Sequence, residues 1–340
     1  MNKPIVATWG TGPTYRDRIK HNIQKAINTG YDNIMDYVVL TDKPDDFYEF
    51  QDKTKKIVEI INIHDARKDY EWSKELEFIP TALDQENYGK QYMEARHNGK
   101  LFSYSLNRFS LPTISRLGYT KFLMCDNDSD IRYDRITSGQ NTEEEFWDQF
   151  NTPINSMKGC DIESWDVRTL DVNDIDGFRN NYLYSNLIIS SILTYELGKK
   201  FPDYLNKSIY VKDIIQTEGP FRFYNFESTW HLNRYFEMWQ EVIKVSLSNH
   251  FIQGMLCGGS YMRIDNIPVA VVNRMMDITP INFEKHWHTV NIYAQDRYFI
   301  PRGTTAGDGR ALFPAENLEK FLELNKDHID YLKSMSQWLD

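Results

Sequence analysis

The sequence predicts an α/β fold, in which a mainly parallel central sheet is flanked by helices within one large domain of two halves. Strand-like apolar runs alternate with helical patterns along the first 130 residues, as parallel sheets require. The run at 122–125 is continuously apolar or weakly polar, which is typical of a strand buried on both faces. The length of 340 residues suits one large α/β domain or two small ones.

Composition argues against two classes of function. A net charge of −10 and a pI near 5.4 disfavour a general nucleic-acid or membrane-surface binder, although a local basic groove remains compatible. Cys125, Cys160 and Cys257 form no C-x-x-C motif and predict reduced structural cysteines. The chain enters a strand without a signal peptide, and the apolar stretch at 183–193 is too short to span a bilayer. We therefore expect a soluble, cytoplasmic protein without a membrane span.

The first elements are a strand, a Gly-rich loop and a helix. The strand is predicted at Pro4–Thr8 and the loop at 9–13, where a lone G-x-G is only a weak indicator of nucleotide binding. The helix is expected to stop near Gly30. It is predicted from apolar residues at helical spacing, namely Ile19, Ile23, Ala26 and Ile27.

Two strands and an interrupted helix follow in the first half. The strands are predicted at Tyr37–Thr41, which Asp42 caps, and at Ile57–Ile61. The helix is predicted at Lys100–Leu117, with an interruption near Pro112, and it leads to the apolar run at 122–125.

The second half is expected to begin with an acidic surface excursion up to about residue 176 and to continue with strands and helices. Ser228 is a reasonable N-cap for the first of these helices. The strands are predicted at Tyr182–Ile189, Val242–Leu247 and Val269–Val272, and the helices at Asn225–Val242 and Pro314–Leu339.

The segment 121–130, KFLMCDNDSD, carries the most informative motif. Asp126 and Asp128 stand one residue apart, directly after the apolar run. Carboxylate oxygens suit hard divalent cations such as Mg²⁺ and Mn²⁺. In open α/β sheets, ligands bind beyond the carboxyl ends of the strands. These residues therefore predict a metal site against a phosphorylated ligand, and the alternative is a plain polar turn.

The order of these features resembles the GT-A glycosyltransferases, nucleotide-sugar enzymes with one Rossmann-like sheet. The resemblance is carried by VLTD at the end of the second strand, GYTKFLMCDND at the metal motif and YLYSNLIIS in the later strand. The sequence is most similar to retaining, family 8-like enzymes, which share a strand ending in D-x-D and a following strand of the "FNSGVLLI" type. The resemblance covers roughly residues 4–42 and 100–190.

The resemblance implies a metal-dependent transfer of sugar from a nucleotide-diphosphate sugar to an acceptor hydroxyl. Asp126 and Asp128 correspond to the residues that bind Mn²⁺ or Mg²⁺ in those families. A histidine usually completes that site, and His288, with His286 in reserve, is the nearest equivalent. The usual H-x-x-G-x-x-K-P-W pattern is absent, so the third ligand stays open. Glu227, in FESTWH, resembles the acidic residue beside the reacting sugar and is the predicted catalytic residue.

The resemblance also divides the chain into a nucleotide-sugar-binding half at 1–135 and an acceptor-binding half with the C-terminal helix at 136–340. Arg108 and Lys100 either pair with the phosphates or are ordinary solvated charges. Trp9 or Tyr15 either lies against the base or belongs to the core. The predicted donor-binding residues are Thr8, Trp9, Gly10, Tyr15, Asp42, Lys100, Arg108, Asn127, Ser185 and Asn186.

Several alternatives remain open for acceptor and reaction. The acceptor is a glycan or another hydroxyl compound, and the enzyme belongs to a bacterial cell or a virus-infected host cell. A viral enzyme could modify a base in DNA, which net charge disfavours but a basic strip at 16–25 and 96–100 permits. A nucleotidyltransferase would need a longer phosphate loop than GTGP with Arg16 and Arg18. An inactive GT-A-like binding module is the third alternative.

Overall fold

The computed structural model describes only part of the chain. For residues 126, 129–131 and 288–290, among others, the description covers the backbone alone. The described ranges are 4–30, 35–75, 103–126, 129–131, 138–139, 142, 144–145, 148–150, 154–158, 162–164, 190, 193–204, 213–215, 218–248, 262–278, 281–282 and 288–290.

The first half alternates strands and helices as the sequence predicted. In chain order, its strands and α-helices are β1 Ile5–Gly10, α1 Pro13–Asn28, β2 Asp36–Thr41, α2 Asp45–Thr54, β3 Ile57–Asn62, α3 Ile63–Lys68, α4 Leu111–Arg116, β4 Lys121–Asp126 and β5 Ser129–Ile131. Two 3₁₀ helices lie between α3 and α4, at Glu71–Glu75 and Ser103–Ser110. The first strand continues two residues beyond Thr8, and α1 ends before a turn at Thr29 and Gly30.

The second half contributes strands of two to eight residues and further α-helices. Two 3₁₀ turns lie at Asp148–Phe150 and Pro202–Tyr204. The other elements are β6 Ile154–Lys158, β7 Ile162–Ser164, α5 at 193–200, β8 Asp213–Ile215, β9 Glu218–Asn225, α6 Thr229–Ser248, α7 Met262–Met275, β10 Ile281–Asn282 and β11 His288–Val290. The predicted strand at Tyr182–Ile189 and helix at Pro314–Leu339 lie outside the described residues.

The main sheet has seven strands in the order β10-β6-β9-β4-β1-β2-β3. Strands β4, β1, β2 and β3 run parallel to one another, and β10 is parallel to β6. Strand β9 is antiparallel to both of its neighbours, β4 and β6. The predicted α/β fold with a mainly parallel sheet is therefore confirmed, and strands from both sides of residue 135 share this sheet.

Helices cover both faces of the central strands. On one face, β1, β2, β4 and β9 pack against α4, α6 and α7 in a cluster that includes Ala7, Leu40 and Phe122. On the other face, Val6, Leu123 and further residues pack against apolar residues of α1 and α2. Alternate residues of one strand thus enter opposite cores, which explains the uninterrupted apolar run at 122–125.

Helix α6 provides much of the first core. Leu232, Tyr235, Phe236, Trp239 and Ile243 recur at helical spacing and are buried. The ring of Trp239 stacks on that of Phe236, and several further aromatic rings of this core lie within contact distance.

Two strand predictions and one helix boundary were wrong. The runs at Val242–Leu247 and Val269–Val272 are not strands but parts of α6 and α7. Both runs are buried on several sides, and a short apolar run by itself does not distinguish a buried strand from a buried helix. The residues before Thr229 that were assigned to a helix form the end of β9 and a bend. The helix expected at Lys100–Leu117 is a 3₁₀ segment followed by α4, and Pro112 lies in the first turn of α4.

Within the described ranges, none of the helices combines the length and the apolar character needed to cross a membrane.

Candidate functional site

Five predicted site residues lie at the carboxyl edge of the main sheet. Strands β1 and β4 are parallel, and the backbone of Asp126 is paired with that of Trp9. Thr8 and Gly10 flank Trp9, and Gly10 is paired with the last residue of β2, just before Asp42. The structure thus brings the end of the metal motif strand, the Gly-rich loop and Asp42 to one edge. This is the edge at which open α/β sheets bind ligands.

A small second sheet brings the histidine segment to the metal motif. Strand β11 pairs antiparallel with β5, and His288 is the backbone partner of Ile131. Strand β5 begins directly after Asp128 in the sequence, so a segment from the far end of the chain lies beside this motif. Asp128, Asn127 and His286 are outside the described residues, as are Lys100, Ser185 and Asn186.

Asp42 closes the Gly-rich loop against β2. Its two carboxylate oxygens accept hydrogen bonds from the backbone N–H of Gly12, with N···O distances of 3.2 and 3.1 Å. Gly12 has φ 84°, a left-handed conformation that favours glycine. Arg16, which is 7% exposed, donates to Asp42 and Asp46, each at 2.7 Å. The predicted donor-binding residue Asp42 therefore also organises the loop that follows β1.

The ion pairs around Arg16 change its own pKa and that of Asp46. Burial alone would lower the pKa of Arg16, but its hydrogen bonds and Coulomb attraction to Asp42 and Asp46 raise it overall. Hydrogen bonding from Lys43 is the largest influence on Asp46, and with a smaller contribution from Arg16 it lowers the pKa of this carboxyl against the opposing effect of desolvation. The ionised form of the Asp46 carboxyl is therefore stabilised in the folded protein.

The lowered pKa of Asp46 predicts a pH-dependent contribution to stability. A carboxyl whose pKa is lower in the folded state stabilises the protein above its unfolded pKa of about 3.9. This contribution is lost as the pH falls through the folded pKa. We expect Asp46→Asn to lower the free energy of unfolding by about 1 kcal/mol at pH 7, and by progressively less below about pH 4. Urea unfolding of both proteins across this range measures the difference.

Asp52→Asn is the matched control for Asp46, because its side chain lies on the same helix and is 84% exposed. Its only recorded salt bridge among the described residues is with Lys55, whose side chain is 77% exposed. Asp52→Asn should change stability by less than about 0.5 kcal/mol at every pH. An equal effect of the two substitutions, or an Asp46→Asn effect that persists unchanged at pH 2.5, would contradict the assignment.

Aromatic and basic residues near the loop make contacts within the protein. Trp9 is partly buried and packs against the core on the α6 face. The guanidinium of Arg18 lies over the ring of Tyr15, 5.1 Å from its centroid. Because Arg16 points into the ion-pair network, the basic strip at 16–25 offers fewer surface cations than its composition suggested.

The structure places Arg108 differently from both sequence-based alternatives. Its side chain is fully buried, and Nη1 contacts Asn107 Oδ1 at 3.2 Å and the sulfur of Met124. It is thus neither a solvated charge nor a side chain on an open ligand surface. Met124 precedes Asp126 by two residues in β4, so this guanidinium lies behind the carboxyl end of that strand.

Arg222 is a second buried guanidinium that the sequence-based reasoning missed. It lies in β9 as the backbone partner of Met124 and is 3% exposed. Burial raises the pKa of Tyr235, with the neighbouring Tyr224 acting in the same direction and Arg108 and Arg222 opposing it. Both guanidiniums therefore lie within electrostatic range of this phenol. The sequence signal for its burial was the position of this arginine among the aromatic residues of the segment FRFYN.

Glu227 lies at the opposite edge of the sheet from Asp126. Phe226 N–H donates to the carbonyl of Thr120 at 2.9 Å, which places this segment at the amino end of β4. At about 3.4 Å per residue, the length of β4 separates the two ends by roughly 20 Å. The side chain of Glu227 is 87% exposed, and its carboxylate lies 3.6 Å from His231 Nε2. This geometry separates Glu227 from the predicted metal residue Asp126, because the antiparallel β9 returns the chain to the other edge of the sheet.

Ser228 is confirmed as the N-cap of α6, since its Oγ accepts a hydrogen bond from His231 N–H at 3.3 Å. The hydroxyl also lies 2.9 Å from His231 Nδ1. We expect Ser228→Ala to lower the free energy of unfolding by about 1 kcal/mol. Ser228→Asn keeps a capping oxygen and should retain most of the wild-type stability. Chemical denaturation of the two variants measures the difference. A silent Ser228→Ala would contradict the capping role.

Among the side chains that the structure describes, His, Cys, Asp and Glu do not gather in groups of three or more in a metal-binding arrangement. The side chains of Asp126, Asp128 and both histidines are outside that set. No protein-family model, curated protein or solved structure matches the chain.

Proposed function

We propose that this protein is a divalent-metal-dependent glycosyltransferase with a GT-A fold, which moves a sugar from a nucleotide-diphosphate sugar to an acceptor hydroxyl. The observation that carries the proposal is the meeting of three segments at one region of the sheet. These are the end of β4 at Asp126, the Gly-rich loop after β1, and β11 paired beside the metal motif. The segments come from distant parts of the chain, and their residue types suit one ligand.

Asp126, Asp128 and His288 would hold Mn²⁺ or Mg²⁺, with His286 as the alternative to His288. The donor set fits such an ion, since it combines two carboxylates with an imidazole. Backbone pairing places β11 beside the strand that follows the motif, with His288 opposite Ile131, three residues after Asp128. When bound, the metal would offset the negative charge that develops on the departing nucleoside diphosphate.

The remaining residues of this edge would bind and orient the donor. Thr8 to Gly10 end β1 beside Asp126, and their backbone would approach the nucleotide closely. The two buried guanidiniums of Arg108 and Arg222 would contribute positive potential from behind the strand end, which favours an anionic diphosphate. Lys100, Asn127, Ser185 and Asn186 remain candidates for direct donor contacts. Residues after 135 would bind the part of the acceptor that carries the reacting hydroxyl.

The resemblance to family 8-like enzymes supports transfer with retention of the anomeric configuration. No catalytic carboxylate replaces Glu227 in this proposal, so retention rests on the resemblance alone. The configuration of the product's anomeric carbon, read from its proton NMR coupling constant, decides between retention and inversion.

A hydrolysis screen tests the proposal. Purified protein is incubated with individual nucleotide sugars and Mn²⁺ or Mg²⁺, and release of the free nucleoside diphosphate is measured. We expect release from one donor or a small set of donors, and its loss when a chelator is added. Undiminished release in chelator would contradict the metal role. Pyrophosphate formation from a nucleoside triphosphate and a sugar phosphate would instead indicate a nucleotidyltransferase.

A further inference from the structure

A cleft of about 520 Å³ lies beside β3 and shares Asp42 with the predicted donor-binding residues. We call it the β3 cleft, and its walls come from β3, α3, α4 and the segment from Asp42 to Tyr48. Its volume falls in the range of roughly 300–1,000 Å³ that is usual for sites of small ligands. Strands β1 and β2 separate β3 from β4, so strand spacing puts the two edges about 14 Å apart.

An exposed aromatic ring forms part of the wall. Tyr48 lines the β3 cleft and is 51% exposed, whereas its neighbour Phe47 is fully buried in the core between α2 and the sheet. Helix α2 therefore uses one aromatic residue for packing and presents the next to the cleft. A tyrosine ring offers a flat apolar face with a polar tip, and the C–H face of a pyranose ring stacks well on such a surface.

The polar groups of the wall are held in position by contacts within the protein. Glu59 pairs with Arg116 at 3.2 Å, and Asp42 is fixed by Arg16 as described above. Asn62 accepts a hydrogen bond from His64 N–H at 2.9 Å through Oδ1, which leaves its NH₂ group for other acceptors. Ordered side chains of this kind lower the entropic cost of binding.

The charge pattern of the β3 cleft favours a neutral ligand with many hydroxyl groups. Asp42, Asp45, Glu59 and Asp65 contribute four carboxylates to the described lining and Lys43 is its cation, so the lining offers no excess of positive charge to hold a phosphate group. The adjacent Arg16, Arg116 and Lys68 pair with three of these carboxylates, so the site has no strong need for a cation. Ionised carboxylates accept hydrogen bonds, and sugar hydroxyls are good donors to them.

We propose that the β3 cleft binds a neutral hexose residue, with Tyr48 stacking on the ring and Glu59, Asp65 and Asn62 hydrogen-bonded to its hydroxyls. The hexose belongs to the acceptor glycan and occupies a subsite remote from the reacting sugar. The assignment of this hexose to the acceptor depends on the proposed glycosyltransferase function, whereas the binding of a neutral sugar does not.

The test measures binding without metal or nucleotide. Saturation-transfer NMR detects binding to the full chain, and titration with each sugar measures its affinity. The sugars are maltotriose, cellotriose, lactose and diacetylchitobiose. We expect at least one of them to bind, with about tenfold weaker affinity for Tyr48→Ala. Tyr48→Phe keeps the ring and should stay close to wild type. Trp230→Ala is the matched control, because Trp230 is a 60% exposed aromatic residue outside this cleft, and it should bind normally.

Three results would overturn the proposal. These are no binding of any of the four sugars, equal binding by wild type and Tyr48→Ala, or displacement of the bound sugar by a nucleoside diphosphate. The outcome is independent of the nucleotide-sugar hydrolysis screen. Sugar binding without turnover would leave the cleft assigned and refute the proposed enzyme, whereas turnover without sugar binding would do the reverse.

Discussion

Asp126→Asn is expected to reduce sugar transfer by roughly 10³-fold or more, because a metal that offsets leaving-group charge contributes several kcal/mol to the barrier. Asp126 ends β4 at the carboxyl edge of the sheet, where its carboxylate would be one of the metal ligands. An amide keeps the size of the side chain and removes its charge. Asp128→Asn should have a similar effect, and both are measured as release of nucleoside diphosphate at saturating donor.

Glu227→Gln is the matched control for this loss of rate, since it removes a carboxylate at the amino end of β4, where β9 ends. Its rate should remain within about twofold of wild type, as expected for an exposed group that only complements a helix terminus. All three variants should unfold at similar denaturant concentrations, because the Glu227 side chain is 87% exposed and metal-binding carboxylates would be accessible to solvent. A rate near wild type in Asp126→Asn, or a large loss in Glu227→Gln, would contradict the assignment of the site to the carboxyl edge.

Trp239→Ala is expected to lower the free energy of unfolding by about 3–5 kcal/mol, the usual cost of truncating a buried aromatic side chain. Trp239 is fully buried in α6 and joins three segments of the chain through its ring. Its centroid lies 5.6 Å from that of Phe236, 5.7 Å from Phe109 and 5.9 Å from Trp72. Removing this ring leaves a cavity between α6 and the segments that precede α4.

Trp230→Ala provides the control on the same helix, nine positions earlier in the sequence, with a side chain that is 60% exposed. This change should alter stability by no more than about 0.5 kcal/mol. Urea titrations followed by far-UV circular dichroism compare the two variants without relying on tryptophan fluorescence. Similar losses from both substitutions, or a loss below 1 kcal/mol for Trp239→Ala, would contradict the packing of α6 described above.

Local patterns predicted the parallel part of the fold well. The apolar run of β4 and the spacing of Ile19 and Ile23 in α1 arise from burial on two faces or on one face, and this periodicity is visible in the sequence. The same reasoning was wrong for Val242–Leu247, because a helix buried on several sides also produces a short apolar run. Neighbouring elements, which decide that burial, are not part of the local pattern.

The site residues show the same limit more clearly. Asp126 was predicted from its place at the end of a strand, and strand order then determined its neighbours. Glu227 was chosen because it precedes a helix, but only the antiparallel register of β9 reveals at which edge that helix begins. The burial of Arg108 and Arg222 depends on contacts between distant segments, and charged residues ordinarily predict a surface position.

A metal site at the carboxyl edge of β4 should be visible as Mn²⁺ binding in the presence of a nucleoside diphosphate. Electron paramagnetic resonance counts the free ion during a titration of wild type, Asp126→Asn, His288→Ala and Glu227→Gln. We expect wild type and Glu227→Gln to bind one Mn²⁺ ion. The affinity for Mn²⁺ should fall at least tenfold in Asp126→Asn and by a smaller factor in His288→Ala. Equal Mn²⁺ affinity in wild type and Asp126→Asn would contradict a metal site at the carboxyl edge of β4.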